Sequence, residues 1–193
     1  MEVIFENITK VGFSQLKHVA GHDELRPVMM GVYVDFKNQK LVATDARILM
    51  MYPIKITQNN SDLNGKILPV RFFNHLKYMQ DIPTESKRIV DLKYVLTDEF
   101  AEVYWLNDLV FRCRYIEGFY PNYQAVINDS EDKLEGLDGI GMDFKMLKRV
   151  CDALPLTNKQ CKFKFFGRNK HIIFQASEFD HEPIKGLIMP TLL

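Results

Sequence analysis

At 193 residues, with 25 Lys and Arg balanced by 25 Asp and Glu, the chain has no formal net charge and is long enough to bury a core as one large or two small domains. Its 47% hydrophobic and 26% charged residues exclude disorder, and its neutrality argues against a protein that grips nucleic acid over its whole surface, so phosphate contact would need a local basic patch. No apolar run approaches the ~20 residues of a membrane helix, and MEVIFENITK lacks the segments of a signal peptide. Cys113, Cys151 and Cys161 show no Cys-x-x-Cys spacing, which fits reduced thiols in a cytoplasmic protein.

In chain order, VIFENI (3–8) predicts a short strand leading into FSQLKHV (13–19). There Phe13, Leu16 and Ala20, with Val19 beside them, follow helical spacing and predict an amphipathic helix. The period then changes to two: GVYVDF (31–36), a Lys37–Lys40 turn, LVATD (41–45) and RILMMYPI (47–54) predict antiparallel strands. KILP (66–69) predicts another strand, and FNHLKYM (73–79), with Phe72 widening its stripe, predicts a second helix. RIVDLKYVLT (88–97), FAEVYWL (100–106), an Asn107-Asp108 turn and LVFRCRYI (109–116) complete a second helix-plus-strands unit. The polar, acidic segment NDSEDKLEGLDG (128–139) predicts a linker. Beyond it, FKMLKRV (144–150) predicts a third helix with an apolar stripe of Phe144, Leu147, Val150, Cys151 and Leu154. CKFKFF (161–166), HIIFQAS (171–177) and IKGLIMP (184–190) supply its strands.

One frame, Phe-x-x-Leu-Lys-x-apolar, thus opens three similar units, the signature of an internal repeat. The prediction is an α+β fold of three helix-plus-antiparallel-strands units, with helices on one face of a curved sheet. The expected organisation is a two-unit domain over residues 1–127, a linker over 128–138, and a single unit with a C-terminal strand over 139–193.

The predicted helices are net basic in a neutral chain. Lys10 and Lys17 accompany the first helix, with His18 and His22; Arg71 and Lys77 the second, with His75; Lys145, Lys148 and Arg149 the third. Such a face suits sequence-independent phosphate contact, although lysines on a wet helix face more often only solvate it. No base-reading motif is present. Asp45 beside Arg47 fits a turn cap better than acid–base chemistry. His18 and His22 stand four apart, without the His-Glu-x-x-His frame of a zinc site. No Gly-rich phosphate loop appears. The sequence therefore predicts no enzyme, no metal and no cofactor.

VATDARIL (42–49), EGFYPNYQAVI (117–127) and GLIMPTLL (186–193) resemble, in that order, segments of the bacterial sliding clamp, the beta subunit of DNA polymerase III. Ala46-Arg47-Ile48-Leu49 departs from that family's usual Gly-His-Arg-Leu, and Thr191 and Leu192 from its frequent Met and Arg. The order resembles a shortened clamp, with a middle-domain-like part followed by the second half of the last domain. The resemblance implies a non-catalytic processivity factor of DNA replication, whose helices face duplex DNA without sequence specificity and whose partners include a DNA polymerase or other proteins carrying clamp-binding peptides. It also implies a hydrophobic peptide groove, carried over onto Thr44, Ala46, Leu49, Pro69 and Phe73 on one wall and Leu187, Met189 and Pro190 on the other. Three units do not close a ring alone, so the resemblance implies a homo-oligomer, with a tetrameric ring as one geometry. The alternative is a clamp-fold peptide-binding adaptor or competitor that does not encircle DNA.

Overall fold

The computed structural model describes residues 3–6, 13–59, 65–74, 92–105, 107–128, 140–154, 161–167, 170–176 and 183–191. Twelve strands appear among them: β1 (Val3–Glu6), β2 (Gly31–Asp35), β3 (Lys40–Thr44), β4 (Ile48–Pro53), β5 (Lys55–Asn59), β6 (Lys66–Pro69), β7 (Leu92–Leu96), β8 (Phe100–Trp105), β9 (Asp108–Arg114), β10 (Lys162–Phe165), β11 (Ile172–Ala176) and β12 (Ile184–Ile188). The 3-10 turns are η1 (Phe13–His18), η2 (Pro27–Met30) and η3 (Val70–Phe73), and the α-helices are α1 (Tyr123–Asn128) and α2 (Phe144–Ala153).

The strands form two antiparallel sheets rather than the single curved sheet expected. One runs β5-β1-β7-β8-β9 and the other β10-β11-β12-β4-β3-β2-β6. The division follows from an exchange. β1, which precedes the first helical frame, pairs with β7 of the second unit, and β6, which precedes the second frame, pairs with β2 of the first. Each unit thus completes the other's sheet. The third unit is not left with an unpaired edge on this side, because β12 pairs with β4 through Leu187↔Leu49 and Ile188↔Ile48. That seam buries backbone groups that an open strand edge would expose.

Strand alternation explains both faces of the larger sheet. Val32, Val34, Leu41, Ala43, Ile48, Met50, Tyr52, Leu68 and Ile188 point into the main core, where they meet Leu16, Val19, Phe72, Phe73, Met146 and Val150 of the helical segments. The same core takes Tyr94, Leu96, Ala101 and Val103 from the smaller sheet. The intervening residues Val42, Leu49, Met51 and Leu187 form a separate cluster on the opposite, outer face. The unbroken apolar run Ile48–Tyr52 reflects a strand covered on both sides.

The helical segments depart from expectation in two places. Around the first frame the chain makes a 3-10 turn of six residues, not a full α-helix. Val19 and Ala20 both bond back to the Leu16 carbonyl, and Gly21 turns away to bond Met29. So short a turn rests on packing of the buried Leu16, Val19 and Ala20 rather than on helix propagation. Of the second frame, η3 ends at Phe73 with Asn74 following, and the residues from His75 through Gln80 lie outside the described residues. The third frame is an α-helix, N-capped by Asp143, whose carboxylate accepts from the Lys145 amide at 2.8 Å. Its buried stripe is Met146, Val150, Ala153 and Leu154, with Leu147 half-buried, and Phe144 is 82% exposed, contrary to the expected stripe. Phe144 occupies the first helical turn beside the cap, on the side away from the core. Leu154 is extended, the conformation that a residue followed by proline in the sequence prefers. The expected linker, from residue 129 onward, lies outside the described residues.

Candidate peptide groove and nucleic-acid face

The register of the larger sheet brings four of the eight expected groove residues into one transverse row. Leu187 pairs with Leu49, and Leu49 with Thr44. Thr44 and Gly31 each lie two residues beyond the Val42↔Tyr33 pair, and Gly31 pairs with Pro69. Directly paired residues share a face, so Leu187, Leu49, Thr44 and Pro69 all point outward, across the seam between the third unit and the first. Met189 follows on the same side, 37% exposed, and its amide donates to the Arg47 carbonyl at 2.8 Å. Phe73 does not belong here. It is wholly buried in the main core, on the other side of the sheet.

The turn that links Thr44 to Leu49, beside the middle of the row, is built by side-chain caps. The Thr44 hydroxyl donates to the Ile48 carbonyl at 2.7 Å and accepts from the Ala46 amide at 3.1 Å. One Asp45 oxygen accepts from the amides of Arg47 (2.9 Å) and Ile48 (2.8 Å), the turn-capping role that its position predicts. Ala46 sits at φ +73°, where a Cβ is strained. Ala46→Gly is expected to stabilise the protein by about 0.5–1 kcal/mol, after allowing for the greater freedom of unfolded glycine, and thermal unfolding checks it.

Sequence reasoning assigned no site role to the segment that covers the outer face. The Tyr120 ring stacks on Tyr33 with centroids 4.9 Å apart, and its hydroxyl donates to the Val42 carbonyl at 3.2 Å. The Tyr123 hydroxyl donates to Asp35 at 2.6 Å, and Tyr123 and Ile127 join the outer cluster with Leu49 and Leu187. The signal was present in EGFYPNYQAVI as two tyrosines three residues apart, on one face of a turn that Pro121 opens. Leu49 and Leu187 are therefore nearly closed off, at 5% and 3% exposure. A cavity of about 350 Å³ beside this cover is lined by Tyr33, Asp35, Tyr120 and Tyr123, among others.

Asp35 fastens the cover. Burial pushes its carboxyl pKa upward, but hydrogen bonds from Tyr123 and from the side chain and amide of Asn38 outweigh burial and leave it below its ordinary value. The same pairing, added to burial, raises the Tyr123 phenol. A depressed carboxyl contributes stability that is complete above its unfolded pKa and is lost as pH falls through the lower folded value. Asp35→Asn is expected to cost about 2 kcal/mol at pH 7, the scale of a hydrogen bond to a charged group, and the gap from the parent should close in strong acid. Paired urea titrations from pH 7 to pH 2 measure it.

The basic residues are less uniform than the sequence suggests. Arg71 on η3 and Lys145 on α2 are exposed, and Lys17 on η1 is half-exposed. Lys148 is exposed but pairs with Asp152 at 2.5 Å. Arg149 is turned inward. Its Nε donates to the His18 carbonyl at 2.9 Å, one Nη reaches the Val19 and Ala20 carbonyls at 3.2 and 3.4 Å, and the other pairs with Asp45. Arg149 thus joins the third unit to the first instead of presenting a charge to solvent. Burial and the neighbouring Lys17 lower the His18 pKa, so His18 adds little charge at neutral pH. Lys10 and Lys77 lie outside the described residues. Among the described residues no cluster of His, Cys, Asp and Glu is arranged to hold a metal ion, and no helix is long and apolar enough to cross a membrane.

Two antiparallel sheets, linked by strand exchange and overlaid by helical segments on one common core, define a fold class: the chain has the DNA-clamp fold. In particular, its fold is that of the bacterial sliding clamp, the beta subunit of DNA polymerase III. The clamp of Bacillus subtilis is similar over 100% of this chain and 64% of its own, at 16% identity and a TM-score of 0.69. That of Helicobacter pylori bound to a DNA ligase peptide is similar over 100% of this chain and 66% of its own, at 18% identity and a TM-score of 0.69. That of Bartonella birtlesii bound to griselimycin matches over 100% and 66%, at 12% identity and a TM-score of 0.68. The chain therefore spans just under two thirds of the length of these solved clamps. No protein-family model matches the sequence, and no curated protein matches it.

Proposed function

We propose that this protein is a sliding-clamp-like processivity factor of DNA replication, which captures short peptides of a DNA polymerase or other partners in the outer groove and meets duplex DNA, without sequence preference, through its helical side. The observation that supports peptide capture is the transverse row Leu187–Leu49–Thr44–Pro69, drawn from two units, whose leucines form a closed apolar floor and whose accessible edge is the half-buried Pro69 and the exposed Met189. An apolar row flanked by a flexible Met suits varied linear peptides. The Helicobacter pylori clamp is bound to a DNA ligase peptide, and that peptide is the natural first probe. Fluorescence anisotropy with it should give saturable binding that Met189→Arg, a change at the exposed edge, abolishes. Binding unaffected by that change sinks the groove assignment.

Lys17, Arg71, Lys145 and Lys148 are the described cations we assign to DNA contact, with Lys10 and Lys77 in the same role. Assembly into a ring, tetrameric in its simplest closed form, would let such a face surround duplex. Light scattering should then give a mass several times 22.6 kDa, and the protein should be retained on circular but not linear DNA. A second reading has its own support. Arg149 is committed to carbonyls and Asp45, and Lys148 to Asp152, which thins the positive face and favours a clamp-fold adaptor that binds peptides without encircling DNA. Peptide binding by a monomer that ignores DNA at moderate salt selects that reading.

A further inference from the structure

The β12–β4 ladder sets the spacing of Leu187 and Leu49, but pairing stops at Ile188↔Ile48. Beyond it, the rim of the groove is the 44–48 turn and Met189, and a surface turn at a junction between units is mobile unless tied. Three contacts from the third unit reach this turn. The Met189 amide bonds the Arg47 carbonyl; Arg47 meets Asp143 at 3.9 Å with its side chain 61% exposed, a weak surface pair. The third contact is Arg149 on Asp45, with the two side chains only 31% and 15% exposed.

We propose that Arg149 is a positioning residue of the groove, holding the 44–48 turn, and with it Thr44, Ala46 and the Met189 end, in the geometry that accepts a peptide. The inference rests on the peptide-binding reading above. One guanidinium does what no other single side chain here can. Its planar fork satisfies three carbonyls at the end of η1 while it grips the one Asp45 oxygen that the turn amides leave open. The η1 carbonyls belong to the helical side of the protein and the Asp45 turn to the groove, so the same residue joins the two working surfaces. A lysine keeps the charge but has neither the planarity nor the number of donors to hold both at once.

The test compares the parent with Arg149→Lys and Asp45→Asn; the latter retains an oxygen for the turn amides but removes the charge that Arg149 grips. Residue-resolved hydrogen exchange and anisotropy with the Helicobacter pylori ligase peptide are read together. Arg149→Lys should speed exchange at the Arg47, Ile48 and Met189 amides by about tenfold and weaken the peptide by a similar factor, leaving β7 and β8 amides unchanged, as loss of one charge-assisted contact would. Asp45→Asn should move the same amides in the same direction, and the double variant should be little worse than Arg149→Lys alone, because both act on one contact. The inference is overturned if the turn amides do not respond, if β7 and β8 amides accelerate equally, or if the turn loosens while affinity stays at the parent value. A parent that binds no peptide overturns the groove reading itself, an outcome distinct from a binding parent with indifferent variants.

Discussion

Replacing Gly186 with alanine is expected to lower stability by about 3 kcal/mol, the upper end for overpacking a core. The reason is space, not backbone freedom. Gly186 lies on β12 opposite Met50 of β4 and Phe174 of β11. A methyl group there would run into the Leu49 carbonyl oxygen on one side and the Phe174 ring on the other. The carbonyl is backbone, and Phe174 is wholly buried, so neither yields without shifting a strand. The strain falls on the seam that joins the third unit to the first. Thermal unfolding should show a fall of about 10 °C for a chain of this size. An unchanged melting temperature would mean that the seam is looser than the register requires.

Truncating Phe73 to alanine should cost about 3–5 kcal/mol, whereas Phe144→Ala should stay within about 0.5 kcal/mol. Both phenylalanines hold the same place in the repeated frame, so the contrast isolates what the tertiary structure makes of it. Phe73 is fully buried and packs edge-on against Phe72, with ring centroids 5.4 Å apart. Phe72 in turn meets Tyr94 and Phe111 of the smaller sheet, at 6.1 and 6.2 Å. Removing the Phe73 ring leaves a cavity beside this junction. Phe144 leaves none. Chemical denaturation of the two variants and the parent measures the difference, and equal losses would refute the placement of Phe144.

Much of the architecture was legible because strand signals are local. All the described strands except β5 fall on stretches that the sequence predicts as strands from alternation or an unbroken apolar run. Asp45 was legible as a turn cap for the same reason, since its partners are two and three residues away. The row Leu187–Leu49–Thr44–Pro69, which we propose as a peptide groove, was legible only through a resemblance to clamps, because cross-strand neighbours such as Leu49 and Leu187 are far apart in the chain. Three features escaped. Lys-Ile-Thr-Gln-Asn (55–59) pairs as β5, although its polar content gives no strand signal. The tyrosines at 120 and 123 became a cover because Asp35 and the Val42 carbonyl happen to lie beneath them. Arg149 looked like its neighbour Lys148, yet its guanidinium faces inward.

The sequence by itself determined that this chain is neutral, folded and built from a repeated seven-residue frame amid antiparallel strands, since periodicity and composition act over a few residues at a time. Tertiary structure alone decided that β1 and β6 trade places between units, that β12 completes the sheet of β4, and that one basic side chain is a tie while another meets solvent. Strand partners and ion pairs are chosen by where distant segments dock, and hydrogen-bond geometry at that docking has no counterpart in local residue order.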